Sequence, residues 1–156
     1  MKVKNILSVF DGLGGARIAL DELDIECNYY ASEIDTHAIK VHKENYPNTI
    51  QLGDIKNIKS SELPKIDLLI GGSPCQDLSI AGKRAGLAGE RSGLFMEQVR
   101  IVKEMREHDR ATGRSTESIR PRFMVWENVP GTFSSNGGED FRVVLEEIAR
   151  IADETV

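Results

Sequence analysis

Cysteine is scarce in this chain: Cys27 and Cys75 are its only two among 156 residues. They lie far apart and in no C-x-x-C spacing, which excludes a disulfide framework or a zinc site. Histidine is nearly as rare. His37 and His42 are five apart, a spacing that separates them around a helix, and with His108 they make no metal constellation; all three are read as surface or capping residues. No apolar run approaches the roughly 20 residues that cross a bilayer. The opening "MKVKNILSVFDGLGG" breaks its short apolar run at Asp11 and the glycines, so it reads as a buried first strand and not as a signal peptide. A cytoplasmic protein is expected, with no metal and no membrane partner. Positive charge is also in deficit: 20 Lys and Arg against 25 Asp and Glu leave a formal net charge of -5. That argues against a nucleic-acid binder held by charge alone and leaves room for a local basic patch.

What is present suits one domain over residues 1–156, with 40% hydrophobic and 29% charged residues. Strand and helix signals alternate along it. "NILSVF" is a short branched apolar run that breaks at a glycine turn, after which Ala16, Ala19, Leu20 and Leu23 fall on one helical stripe. "CNYYASEID" reads as a second strand. Asp35 or Thr36 can cap the next helix, where Ala38, Val41 and His42 share a face before "NYPN" stops it. "TIQLGD", "KIDLLIGG" and "PRFMVWENVPG" read as further strands. Phe95, Val99, Val102 and Met105 or Arg106 mark one amphipathic helix; Phe141, Val144, Leu145 and Ile148 mark the closing one. The polar stretch His108–Arg120 is expected to be a mobile connection. Strands separated by helices imply right-handed βαβ units and an open, doubly wound, mostly parallel α/β sheet of the Rossmann-like kind.

In such sheets ligands bind beyond the carboxyl ends of the strands. Every unusual polar cluster is predicted to lie at such an end: "DGLGG", "SEID", "GD", "GGSPCQ" and "ENVPG". Cys75 follows Pro74, which lacks an amide hydrogen and biases Ser73 toward extended geometry, so the thiol is expected on a rigid loop just past a strand. Cys27, inside a strand pattern with no companion motif, reads as core, as does Trp126.

The glycine turn admits two cofactor classes. A nicotinamide fingerprint needs G-x-G-x-x-G and an acid about 20 residues on. Gly12, Gly14 and Glu33 meet part of it, but Arg17 occupies the third glycine place. An adenosine without a pyrophosphate needs only glycines that let backbone approach an amino-acid moiety and a carboxylate for the ribose. S-adenosylmethionine fits that demand better.

Taken together, "FDGLGG", "EID", "GD", "GGSPCQDLS" and "ENV" resemble, in order and spacing, the motifs of the carbon-5 cytosine-specific DNA methyltransferases, over Ile6 to about Ile151. The resemblance implies the S-adenosylmethionine-dependent methyltransferase fold and transfer of methyl to carbon 5 of cytosine in DNA. It makes Cys75 the nucleophile, Glu127 the base-binding carboxylate and Asn128 the residue that holds the cysteine loop. Phe10, Gly12, Leu13 and Gly15 would line the cofactor; Glu33 would take the ribose hydroxyls and Ile34 pack on the adenine. Asp54 would accept from the adenine amino group with Ile55 beside it, and Pro74 and Leu94 would complete the pocket.

The long segment Gln76–Gly93 would close over DNA, with Gly82, Gly86 and Gly89 as hinges. Gln76, Ser79, Lys83, Arg84 and Arg91 would face the substrate. The family's Gln-x-Arg-x-Arg motif, its variable target-recognition region and its two C-terminal motifs are not found in these 156 residues. The expectation is a catalytic and cofactor-binding core, inactive alone and able to self-associate. An RNA cytosine methyltransferase of the same fold and a noncatalytic regulatory module stay open as alternatives; the presence of both Cys75 and Glu127 argues against the module, since a purely structural role needs neither.

Overall fold

Ile6, Leu7 and Val9 have no exposed surface, and Ser8 almost none. These four make β1 (Asn5–Val9) a strand buried on both faces, which is why it reads as a continuous apolar run. The computed structural model describes residues 3–72 and 93–152. β1 pairs on one side with β2 (Asn28–Ser32) and on the other with β4 (Leu68–Gly71). β2 carries the two-residue β3 (Ile50–Gln51) at one edge, and β4 carries β5 (Phe123–Trp126) at the other. All four pairings are parallel, in the order β3-β2-β1-β4-β5.

The helices α1 (Gly15–Glu22), α2 (Thr36–Asn45), α3 (Gly93–Ala111) and α4 (Glu139–Ala152) complete the layers. Leu7, Val9 and Leu69 point to one face, where they meet Phe95, Val99, Val102 and Met105 of α3 and Val144 and Ile151 of α4. The buried α3 residues recur at helical spacing, as expected. The other face buries Ile6, Tyr29 and Ala31 beneath Leu20 of α1. The doubly wound parallel sheet expected from the alternation is the observed fold.

Some details differ from the sequence reading. Leu23 lies at the C-cap of α1 and is 68% exposed, because the helix ends there and Ile25 joins the core in its place. Leu145 is exposed, while Asp140 and Glu147 of the same helix are buried. His42 is not a surface residue: it is fully buried, the one buried residue of α2.

The stretch His108–Arg120 is also more ordered than its composition suggests. It begins as the last turn of α3, and Asp109, only 5% exposed, ties the rest together. Its carboxylate accepts from the Arg120 backbone N–H at 2.9 Å and meets Arg114 Nε at 3.2 Å. Arg120 Nε then donates to Asp67 Oδ1 at 2.8 Å. A buried acid that takes one backbone donor and one guanidinium organises a polar segment that has no apolar pattern to announce it.

Candidate active site

Because the strands are parallel, their carboxyl ends share one edge of the sheet, and the strand order reverses between β1 and β4. That switch point is where open α/β sheets hold ligands. The turn after β1 crosses it in left-handed geometry: φ is +54° at Phe10, +57° at Gly12 and +89° at Gly14. Glycine adopts this freely, whereas Phe10 is held there at a cost of order 1–3 kcal/mol. Among the described residues, a β-carbon added at Gly12 or Gly15 would meet nothing within 4 Å. The outer side of the turn is therefore open, a cradle wide enough for a ligand to approach the backbone.

Glu33, just past β2, faces this turn. Its Oε2 accepts from Gly12 N at 2.8 Å, and its Oε1 accepts from Ile34 N at 2.8 Å and Asp35 N at 2.9 Å. Three backbone donors fix the carboxylate while it stays half-exposed. Asp35 meanwhile caps α2, its Oδ1 accepting from the N–H groups of His37 and Ala38, which holds its carboxyl below the usual range. Ile34 is 71% exposed and Leu13 59% exposed; such isolated apolar side chains beside an open turn suit the flat face of a ring.

Beyond β3, Ser32 Oγ donates to Gly53 O at 2.7 Å, drawing the Gly53–Asp54 corner toward β2. Asp54 Oδ1 accepts from Lys56 N at 2.9 Å and starts a 3-10 turn over Ile55–Asn57. Ile55 itself is 2% exposed and packs in the core. Leu94, at the start of α3, is half-buried against the same core.

On the other side of the switch point, Glu127 follows β5 and its N–H donates to Gly71 O at 3.1 Å, extending the ladder by one bond. Its side chain lies against Gly72: a β-carbon there would come within 2.4 Å of Glu127 Oε2. Asn128 Oδ1 accepts from Val129 N at 2.7 Å and from Thr132 Oγ1 at 2.6 Å. Its Nδ2 is buried without a hydrogen-bond partner among the described residues. Trp126, read as core, is partly buried: it packs on Phe95 with ring centroids 5.6 Å apart, against the edge of the core.

Pro74, Cys75, Gln76, Ser79, Lys83, Arg84 and Arg91 lie outside the described residues. So do Gly82, Gly86 and Gly89. Among the described residues no group of three or more His, Cys, Asp or Glu is arranged to hold a metal, and no helix is long and apolar enough to cross a membrane.

Two features were missed by sequence reasoning. Cys27 stands just before β2 and is only half-buried, accepting from Arg17 Nη1 at 3.4 Å; burial pushes its thiol up, against the pull of Arg17. Behind the glycine turn, Asp11 and His42 meet as a buried pair. Only the odd acid in "FDGLGG" could have signalled it.

The fold and the motif edge define a parallel α/β protein of the Rossmann-like kind with its polar apparatus at a switch point. Residues 4–152 match the family described as C-5 cytosine-specific DNA methylase, and the chain belongs to it. It is 32% identical over 154 residues to the orphan methyltransferase M.Rho11sI of Bacillus phage rho11s, covering 97% of this chain and 28% of that protein. The type II methyltransferase M1.ScrFI of Lactococcus lactis subsp. cremoris is 32% identical over 146 residues, covering 94% and 34%. In three dimensions the chain is similar to the S. pombe Dnmt2 methyltransferase, with a TM-score of 0.65 at 21% identity over 92% of this chain and 41% of that one. The chain spans about a third of the length of the curated relatives it matches.

Proposed function

We propose that this chain forms the cofactor and nucleophile part of an enzyme that methylates carbon 5 of cytosine in DNA, using S-adenosylmethionine. The observation that carries the reading is Glu127 pressed against Gly72, three residues before Cys75, at the same sheet edge as the open glycine turn. The residues fit the cofactor. The space that the described residues leave before Gly12 and Gly15 would take its amino-acid portion, Glu33 its ribose hydroxyls, and Ile34 and Asp54 its adenine, with Phe10, Leu13, Pro74 and Leu94 enclosing the rest and the buried Ile55 supporting the Asp54 corner from the core. When bound, S-adenosylmethionine supplies an electrophilic methyl group and leaves as S-adenosylhomocysteine.

Carbon 5 of cytosine is a weak nucleophile. In the proposed reaction the Cys75 thiolate forms a bond to carbon 6, and the displaced electron pair makes carbon 5 nucleophilic enough to take the methyl. Transfer of the carbon-5 proton to water then returns the pair to the ring, the bond to sulfur breaks as the thiolate leaves, and the aromatic ring is restored. Glu127, as the acid, hydrogen-bonds ring nitrogen 3 and the amino group and offsets charge as sulfur adds. The Nδ2 of Asn128, buried and without a hydrogen-bond partner among the described residues, supports a role in holding the loop that carries Cys75. A paired cytosine is out of reach of such an attack, so the base has to leave the stack. Gln76, Ser79, Lys83, Arg84 and Arg91 are assigned to the DNA side on family resemblance alone.

Calorimetric titration of the chain should give binding to S-adenosylmethionine and S-adenosylhomocysteine that exceeds binding to NAD; tighter NAD binding would overturn the cofactor assignment. With the chain completed by the remaining length of a relative, labelled methyl should pass to duplex DNA and not to RNA. Cys75→Ser should abolish that transfer, and full activity of the serine variant would remove the covalent step.

A further inference from the structure

α2 docks on the sheet in an unusual way, because the residue it buries is an imidazole and not an aliphatic side chain. His42 Nε2 shares a hydrogen bond with Thr49 Oγ1 at 2.7 Å, and its ring stacks on Tyr29 with centroids 5.9 Å apart and planes 21° apart. Its Nδ1 lies 2.8 Å from Asp11 Oδ2, and both side chains are wholly buried. That contact is off the hydrogen-bonding line, and neither atom has a hydrogen-bond partner among the described residues. Asp11 Oδ1 accepts from the Tyr29 hydroxyl at 2.6 Å. Burial, and then the neighbouring Asp11 charge, push that hydroxyl above its ordinary range, so it stays a donor.

This cluster sits directly behind the strained turn. A β-carbon on Gly14 would lie 2.4 Å from His42 Nδ1, so the turn rests on the imidazole with no space between. The Asp11 backbone is part of the turn as well: its N–H donates to Ser32 O at 3.2 Å and its carbonyl accepts from Gly14 N at 3.0 Å. Asp11 thus has its main chain in the turn and its side chain in the interior, where β2, α2 and the segment before β3 all reach it through Tyr29, His42 and Thr49.

We infer that Asp11 is a positioning residue, and that with His42 and Tyr29 it forms a brace that holds Phe10–Gly14 in its left-handed course, with the backbone of Gly12 aimed outward. The inference rests on the cofactor reading only for what the turn holds, and not for the brace itself. The geometry says why the brace is polar. An apolar residue at position 11 would give the turn no directional tether, and left-handed backbone at Phe10 relaxes unless its surroundings over-determine it. A carboxylate takes one donor from the sheet and faces a second group on α2, which fixes the turn relative to both layers. Glu33 then works from the front, through Gly12 N, and Asp11 from behind.

Two readouts test this on the 156-residue chain: hydrogen exchange at the Gly12 and Gly14 amides without ligand, and binding of S-adenosylhomocysteine below the thermal transition. Asp11→Ala should speed exchange at both amides at least tenfold and weaken binding at least tenfold. Asp11→Asn, which still accepts from Tyr29, should restore most of both. His42→Phe, which fills the same space without a polar atom, should fall between them. Asp67→Asn, which loosens the distant contact with Arg120, serves as the destabilised control and should leave both readouts as in the parent. Unchanged exchange in Asp11→Ala, or equal losses in Asp67→Asn, would overturn the brace. If the parent chain binds no S-adenosylhomocysteine, the cofactor reading fails, and the exchange comparison alone still decides the brace.

Discussion

Gly72 and Glu127 are in such close contact that glycine is the only residue the site accommodates without movement. A methyl on Gly72 would stand 2.4 Å from Glu127 Oε2 and 2.9 Å from the Glu127 carbonyl oxygen, and the latter belongs to backbone held in the sheet ladder. The side chain of Glu127 is the part that can yield. Gly72→Ala should therefore displace the carboxylate and leave the glycine turn across the switch point alone. In an active form of the protein, methyl transfer should fall by tenfold or more, about 1.4 kcal/mol of transition-state stabilisation, while the dissociation constant for S-adenosylhomocysteine stays within about twofold, a few tenths of a kcal/mol. Unchanged kcat would show that Glu127 is not tied to the reacting base. At this scale the positions of the glycine turn and of an acid just past a strand were legible, because turn geometry and strand ends restrict them, while Cys75 lies outside the described residues. His42 was not legible. Its partners come from positions 11, 29 and 49, and helical periodicity carries no information about a polar residue buried by contacts so distant in sequence.

Elements are tied together by carboxylates as much as by apolar stripes. Asp67, just before β4, accepts from the N–H groups of Lys4 at 2.8 Å and Asn5 at 3.1 Å and from Arg120, so one side chain joins the starts of three segments. Burial pushes its carboxyl up, but those donors outweigh burial and hold it below the ordinary range. Glu147 of α4 behaves alike: burial raises it, and Lys103 of α3 and Arg150 bring it down further.

Depressed native values contribute stability that is fully present above the unfolded carboxylate pKa of about 4 and is lost as pH falls through the native ones. The chain should accordingly keep its urea midpoint near neutrality and lose it steeply below about pH 4. Asp67→Asn should flatten that acid limb while lowering the neutral midpoint. An acid limb identical to the parent's would remove Asp67 from the account. The alternation of strands and helices was readable because apolar period and glycine breaks report directly on pairing and packing. The ordering of His108–Arg120 was not, because it depends on Asp109 and Asp67 finding arginines whose sequence neighbours look like a solvated loop.

The whole molecule is covered unevenly. On the face where α1 shields Ile6, the next two strands carry Leu68 and Ile70 in register with Phe123 and Val125. Phe123 is 46% exposed and Val125 45% exposed, and among the described residues β5 is, with the two-residue β3, an edge of the sheet. Apolar side chains beside an unpaired strand edge are the usual seat of edge-to-edge association, since backbone donors and acceptors and apolar area are offered together. The chain alone should therefore self-associate in a concentration-dependent way through this face, as sedimentation velocity would record. Phe123→Lys with Val125→Lys should return it to a monomer without disturbing the glycine turn, because charged side chains on an edge strand oppose pairing while β1 and β2 lie on the far side of β4. Binding of S-adenosylhomocysteine, which the proposed function assigns to that turn, should be the same in the doubly substituted chain. A parent chain that stays monomeric at high concentration would show that this exposed face is tolerated as it stands, and association that survives both lysines would move the contact elsewhere on the molecule.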